Sequence, residues 1–188
     1  MSKLFYVIGA SGVGKDTLMN YARQKINGAK PVVFAHRYIT RAPGDGSENH
    51  VSLSHEEFRS RLEGGAFALH WESHGNYYGI GSEINSWMHK GFNVVVNGSR
   101  QYLDTARLLY PDMVVVLVEA NPETISQRLQ SRGRENEEEI KGRIKRTSEI
   151  TADLCDCTRI QNDGAIDQAG DELISIITNA QVRSPQEL

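Results

Sequence analysis

The sequence has few cysteines and no long apolar segment. Its two cysteines, Cys155 and Cys157, are separated by a single residue, a spacing at which disulfides rarely form. No second ligand pair lies near them to complete a zinc site. We therefore expect free thiols in a reducing, cytoplasmic location. The apolar run MVVVLV, which begins at Met113, is far too short to cross a bilayer, so we expect no membrane partner.

A basic surplus is also lacking, since the formal net charge is −3. We therefore expect no nucleic-acid partner, and any anion-binding site has to be built locally. Hydrophobic residues make up 39% of the chain and charged residues 24%, and the length of 188 residues suits one domain over 1–188. The sequence leaves the oligomeric state open, with a homodimer as one alternative.

Short apolar runs alternate with segments of helical periodicity. The runs LFYVIG, PVVFAH, FNVVVN and MVVVLVEA predict buried strands, because each is short and most are rich in β-branched residues. Helices are predicted between them, with N-caps at Ser54, Ser82 and Asn121. This alternation predicts an α/β fold in which helices flank a parallel β-sheet.

The segment GASGVGK, residues 9–15, has the spacing of a phosphate-binding loop (P-loop). A predicted strand leads into it and a predicted helix leads out, as the motif requires. Backbone N–H groups and the helix N-terminus can hold phosphate oxygens, while Lys15 reaches the outer phosphates and acts in catalysis. The predicted nucleotide-binding residues of this segment are Gly9, Ala10, Ser11, Gly12, Val13, Gly14, Lys15, Asp16 and Thr17.

Asp16 occupies the position at which a P-loop usually carries Ser or Thr. One interpretation is that its charge only offsets the helix dipole in the first turn. The other is that Asp16 holds Mg²⁺, directly or through water, with the hydroxyl of Thr17 as a second candidate ligand. We favour the metal role, because an unpaired carboxylate would be repelled by a triphosphate.

Arginines cluster in the segment RLQSRGREN, at Arg128, Arg132 and Arg134. Such a charge run is usually a solvated helix face. The position of Arg132 and Arg134 at a predicted helix–loop–helix junction instead favours a lid over 132–138 that closes on phosphates. We therefore predict that these three arginines act in catalysis, and that Arg143 on the next helix binds substrate.

The P-loop, an arginine-bearing insert and this lid together resemble the guanylate kinase group of nucleoside-monophosphate kinases. GNYYG at Gly75–Gly79 is similar to that group's acceptor signature, and RGRENEEEIKGRI is similar to its lid. The resemblance implies a P-loop NTPase fold with an acceptor-binding insert over 37–82, ATP as co-substrate and Mg²⁺ as cofactor. It also implies that Asn162, in IQND, lies near the nucleotide.

A narrower resemblance is carried by HRYITR, GSENH, GNYYG, VNGSR, RGREN and the GKD of the P-loop. Together these segments resemble the ribose 1,5-bisphosphate phosphokinases of bacterial phosphonate degradation, in which the loop carries this aspartate. The guanylate kinase acceptor pattern departs here, because its second arginine is missing and His50 replaces its tyrosine. The resemblance implies transfer from ATP to ribose 1,5-bisphosphate, giving ADP and 5-phosphoribosyl 1-diphosphate.

An acceptor with two phosphates needs cationic side chains that bind the phosphates and polar side chains that hydrogen-bond to the sugar hydroxyls (readers of the sugar). The candidate phosphate ligands are Arg37, Arg41 and Tyr78. The candidate readers of the sugar hydroxyls are Glu48, Asn49, His50, Asn97 and Ser99, and Arg100 completes the predicted substrate-binding set with Arg143. Two alternatives stay open, a guanylate kinase acting on GMP and a non-catalytic guanylate kinase-like binding module. The intact Gly14-Lys15 and the arginine lid argue against the module.

Overall fold

The computed structural model describes residues 2–42, 50–131 and 156–179. The strands of these ranges are β1 (Leu4–Gly9), β2 (Val32–Phe34), β3 (Arg37–Ile39), β4 (His50–Ser52), β5 (Phe67–Ser73), β6 (Asn76–Gly81), β7 (Asn93–Asn97), β8 (Val114–Glu119) and β9 (Thr158–Gln161). The helices are α1 (Lys15–Ile26), α2 (His55–Glu63), α3 (Glu83–His89), α4 (Leu103–Leu109), α5 (Pro122–Ser131) and α6 (Ile166–Thr178). No helix in the described part of the chain has the length and apolarity needed to span a membrane.

The larger sheet has five parallel strands in the order β2-β7-β1-β8-β9. Successive residues of its central strand, β1, point to opposite faces, and both faces are buried. Phe5 belongs to a core cluster shared with α1, α5 and α6, whereas Tyr6 belongs to a cluster shared with α3 and α4. The predicted parallel sheet with helices on both faces is confirmed.

A second sheet, in the order β4-β3-β6-β5, is formed by residues 37–81. Its β3–β6 and β5–β6 pairs are antiparallel, and its β3–β4 pair is parallel. The two-residue turn between β5 and β6 has positive φ at both positions, 50° at His74 and 72° at Gly75. That geometry matches the twist of a tight hairpin. The predicted parallel sheet is therefore accompanied by a mixed sheet that the alternation of strands and helices did not reveal.

All three predicted helix starts are correct in position, since α2, α3 and α5 begin directly after Ser54, Ser82 and Asn121. The side chain of Ser54 accepts a hydrogen bond from the N–H of Glu57 at 3.1 Å, and α5 begins at Pro122, directly after Asn121. The cap predicted at Ser82 is wrong, since its side chain makes no capping bond. Ser82 already has helical dihedrals, φ −64° and ψ −13°, whereas a capping serine needs an extended backbone.

The carboxyl ends of the parallel strands meet at one edge of the larger sheet. β1 leads there into the P-loop, β7 ends at Asn97, and β9 is followed by Asn162. In open α/β sheets, ligands bind in the crevice outside these strand ends. The fold therefore places segments that are far apart in the sequence around one site.

Candidate active site

The P-loop glycines are required by both backbone conformation and space. Gly14, which precedes α1, has a left-handed φ of 86°, and a Cβ there would lie 2.6 Å from the side-chain nitrogen of Asn162. At Gly9, a Cβ would lie 2.6 Å from the carbonyl oxygen of Val118 in the neighbouring strand. The loop is consequently packed closely against β8 and against the segment after β9.

One P-loop carbonyl is held by two distant side chains. The carbonyl of Val13 accepts hydrogen bonds from Nη1 of Arg128 at 3.1 Å and from Nδ2 of Asn162 at 2.7 Å. Asn162 is buried and Arg128 is half-buried. These contacts fix the last turn of the loop before α1. Two residues predicted separately, Arg128 as a catalytic arginine and Asn162 as a nucleotide ligand, thus contact the same carbonyl.

A cavity of about 280 Å³ lies beside these contacts. The residues that line it come from the P-loop, α1, α5, the segment after β9 and the start of α6, and they are Gly14, Thr17, Arg128, Ser131, Asn162, Gly164 and Ile166. The cavity therefore adjoins the end of the P-loop that precedes α1.

The side chain of Asp16, in the first turn of α1, is hydrogen-bonded to a residue far away in the sequence. Nδ2 of Asn97 donates a hydrogen bond to its Oδ1 at 2.6 Å, and Asn97 is 5% exposed. Within the described residues, the second carboxylate oxygen of Asp16 has no hydrogen-bond partner. A carboxylate oxygen and the nearby hydroxyl of Thr17 are hard oxygen donors, which suit a divalent ion that keeps water and phosphate ligands. Over the described part of the chain, no group of three His, Cys, Asp or Glu residues could hold a metal by itself.

A larger cleft, of about 600 Å³, separates the P-loop from the second sheet. It is lined by nine residues of the P-loop and α1 and by ten of the insert and the segment after β7. The predicted phosphate and substrate ligands that line it are Lys15, Arg37, Arg41, Tyr78, Ser99 and Arg100. The sequence analysis missed four further polar residues on its wall, namely Asn20, Ser73, His74 and Gln101. No local motif distinguishes these four from ordinary surface residues.

The charge of this cleft is strongly positive. Lys15, Arg37, Arg41 and Arg100 line it, whereas Asp16 is the carboxylate among its lining residues. Partial burial lowers the pKa of the Arg100 guanidinium through desolvation, yet an arginine stays charged at neutral pH. A chain of net charge −3 thus concentrates cations where polyanionic substrates would meet.

Aromatic rings support the insert side of the cleft. The rings of Trp71 and Tyr78 are parallel, with centroids 5.5 Å apart, and the Arg37 guanidinium lies 5.2 Å from the centroid of Tyr78. Trp71 also stacks on Tyr102, which precedes α4, at 5.6 Å. Trp71 is buried and also lines the cleft.

The remaining predicted site residues lie elsewhere. His50 is in β4, paired with Arg37 of β3, and Asn97 borders a small neighbouring cavity of about 20 Å³ together with Asp16. Five predicted residues lie outside the described residues: Glu48, Asn49, Arg132, Arg134 and Arg143. The predicted lid, 132–138, lies outside them as well.

Comparison with known proteins agrees with this geometry. Residues 1–180 match the family model described as guanylate kinase. The ribose 1,5-bisphosphate phosphokinase PhnN of Thiobacillus denitrificans is 50% identical over 178 residues, which cover 95% of this chain and 94% of the relative. The corresponding protein of Desulfomicrobium baculatum is 46% identical and covers 97% of both chains. The chain belongs to the guanylate kinase family, among its ribose 1,5-bisphosphate phosphokinases.

Solved structures support the same fold. A guanylate kinase from Anaplasma phagocytophilum superposes with a TM-score of 0.74 at 18% identity, covering 97% of this chain and 87% of that one. A sugar kinase from Janibacter sp. superposes less closely, with a TM-score of 0.51 at 16% identity, covering 93% and 94%. The predicted guanylate kinase-like P-loop fold is confirmed. Membership of this kinase family implies ATP and usually a divalent metal ion.

Proposed function

We propose that the protein transfers the γ-phosphoryl group of ATP to the 1-phosphate of ribose 1,5-bisphosphate, forming ADP and 5-phosphoribosyl 1-diphosphate in phosphonate catabolism. Two observations together support this proposal: relatives named ribose 1,5-bisphosphate phosphokinase are 42–50% identical to this chain, and a cleft rich in cations faces the P-loop. The guanylate kinase that superposes on this chain is 18% identical to it.

The reaction needs charge neutralisation more than it needs a base. An oxygen of the 1-phosphate attacks the γ-phosphorus, and the bond between that phosphorus and the β–γ bridging oxygen breaks, so ADP leaves. Because the attacking phosphate is already ionised, no hydroxyl proton has to be removed. The main difficulty is bringing two polyanions into line, which fixed cations relieve as charge moves to the leaving group.

On the donor side, the P-loop holds the phosphates and Lys15 contacts the outer ones. The 280 Å³ cavity next to Gly14 and Thr17 takes the nucleoside, with Arg128 and Asn162 on its wall. Asp16 and Thr17 hold Mg²⁺, and the ion, when bound, supplies positive charge to the triphosphate. Arg132 and Arg134, which lie outside the described residues, are the proposed lid arginines.

On the acceptor side, residues 37–82 form the binding insert. Arg37, Arg41 and Arg100 clamp the acceptor phosphates, and Tyr78 supports Arg37 through the cation–π contact. Ser99, on the wall of the cleft, forms a hydrogen bond with a sugar hydroxyl. Glu48, Asn49, His50 and Arg143 complete the proposed set of acceptor ligands, whereas Asn97 orients Asp16.

Product identification tests the proposal. The purified protein is incubated with ATP, Mg²⁺ and each member of a panel containing ribose 1,5-bisphosphate, ribose 5-phosphate and GMP, and the products are resolved by mass spectrometry. We expect 5-phosphoribosyl 1-diphosphate together with one equivalent of ADP. Formation of ADP with another phosphorylated sugar alone would keep the kinase and remove this substrate.

A further inference from the structure

Tyr6 lies in the middle of β1, beneath the cleft, and its hydroxyl makes two hydrogen bonds to a single residue. Oη donates to the carbonyl oxygen of Ser99 at 3.1 Å and accepts from the N–H of Ser99 at 2.9 Å. Ser99 follows β7 in a segment that is neither helix nor strand. The Tyr6 side chain therefore makes the hydrogen bonds to the N–H and carbonyl groups of Ser99 that a helix or strand would otherwise make.

The ring of Tyr6 fixes the same segment by contact. A Cβ on Gly98 would lie 2.4 Å from Cε1 and Cζ of Tyr6, so the backbone passes directly against the ring. The N–H of Gly98 also donates to the carbonyl of Val7 at 2.8 Å. Contacts with β1 therefore fix both the course of the backbone and the orientation of the peptide groups at residues 98–99.

The segment held in this way forms one wall of the cleft. Gly98, Ser99, Arg100 and Gln101 all line it, and Arg100 brings a half-buried positive charge. Tyr6 is 0% exposed and lies outside the set of described residues that line the cleft, so it has no direct access to a ligand. Its influence on binding has to act through the residues that follow β7.

We propose that Tyr6 is a positioning residue for the acceptor phosphate, because its hydroxyl holds Ser99 and thereby aims Arg100 into the cleft. This inference rests on the proposed function. It identifies an interaction that maintains the geometry of the acceptor site. Burial raises the pKa of Tyr6 to about 12, so the hydroxyl keeps its proton at neutral pH and can donate to Ser99 throughout. A misplacement of about 1 Å at a binding group is enough to lower turnover strongly.

The test is the variant Tyr6→Phe, which removes Oη and keeps the ring against Gly98. We expect the KM for ribose 1,5-bisphosphate to rise about tenfold or more, while the KM for ATP changes less than about twofold. Tyr110→Phe is the matched control, since it also loses one hydroxyl hydrogen bond, to Oδ1 of Asn85 at 2.8 Å, on a residue that does not line the cleft. Both KM values of this control should stay at the wild-type level.

A double-variant cycle separates positioning from general damage. If Tyr6 acts through Arg100, then Tyr6→Phe should change the acceptor KM little in an Arg100→Ala background. Circular dichroism checks that each variant is folded. Should Tyr6→Phe fail to fold, Gly98→Ala disturbs the same contact by driving a Cβ against the Tyr6 ring, and it should show the same selective loss.

Equal increases in both KM values, an unchanged acceptor KM, or an undiminished Tyr6→Phe effect without Arg100 would each overturn the inference. Failure of the proposed function is recognised separately, because it appears in the wild-type protein as absence of turnover with ribose 1,5-bisphosphate. In that case, the same comparison is made with the acceptor of the panel that the wild type phosphorylates.

Discussion

The carboxylate of Asp16 and the amide of Asn97 are joined by a 2.6 Å hydrogen bond between Oδ1 and Nδ2. This contact ties the first turn of α1 to the end of β7, across 81 residues of sequence. It orients the unusual acid of the P-loop and leaves Oδ2 for another ligand. The aspartate is therefore held in a defined position beside the phosphate site.

Asp16→Asn tests whether this acid serves the metal. We expect the Mg²⁺ concentration for half-maximal rate to rise about tenfold or more, because the amide is a weaker ligand for a hard cation. Asp104→Asn is the control, since Asp104 is likewise an acid in the first turn of a helix. A dipole effect alone would cost about 0.3–1 kcal/mol in unfolding free energy in both variants. An unchanged magnesium titration curve for Asp16→Asn would rule out the ligand role.

Asn97→Ala removes the group that orients the carboxylate. We expect a higher Mg²⁺ requirement than in wild type, in the same direction as Asp16→Asn. Loss of a buried hydrogen bond to a charged group should also lower the free energy of unfolding by about 1.5–3 kcal/mol. Magnesium titration and urea unfolding measure the two effects. Destabilisation with wild-type metal dependence would assign Asn97 to the fold alone.

Lys15→Ala should lose most phosphoryl transfer. Removal of one preorganised positive group at a developing charge typically lowers kcat by about 10²–10³-fold. Lys25→Ala, in the last turn of the same helix, is the control and should keep its rate. Initial rates at saturating substrates, with thermal unfolding curves for each protein, provide the measurement. Near-normal turnover in folded Lys15→Ala would refute the P-loop assignment.

Arg41→Ala tests the acceptor clamp. We expect the KM for ribose 1,5-bisphosphate to rise about tenfold or more, because charge-assisted bonds to phosphate are the strong ones, and the KM for ATP to change little. Arg61→Ala, whose side chain pairs with Glu57 at 2.7 Å, is the control from the same insert. If Arg41→Ala raised only the KM for ATP, the clamp would belong to the donor side.

The parts of this structure that the sequence predicted are encoded locally. β1, the P-loop and α1 follow one another within 23 residues, from Leu4 to Ile26, and their pattern contains both the strand and the glycine spacing. The second sheet escaped prediction because β3 and β4 are three residues long and pair with partners that no local signal specifies.

The contacts that organise the site depend on the tertiary fold. The bonds of Arg128 and Asn162 to Val13 span 115 and 149 residues, and the bond of Asn97 to Asp16 spans 81. The sequence analysis identified these side chains as site residues by their type and by resemblance. Asn97 was one candidate for binding the sugar, and in the structure its amide donates a hydrogen bond to Asp16. Such a partner can be found only when the strand ends have been brought together.

The identity of the acceptor is tested most sharply by one ratio. This is the kcat/KM for ribose 1,5-bisphosphate divided by the kcat/KM for GMP. The proposed site binds two phosphates and the ribose hydroxyls. When a base takes the place of the second phosphate, buried polar groups of the site lose their partners, and the site discriminates strongly against GMP. We therefore predict a large preference for ribose 1,5-bisphosphate, measured by ADP release at matched ATP and Mg²⁺. A kcat/KM for GMP equal to or above that for ribose 1,5-bisphosphate would contradict the account.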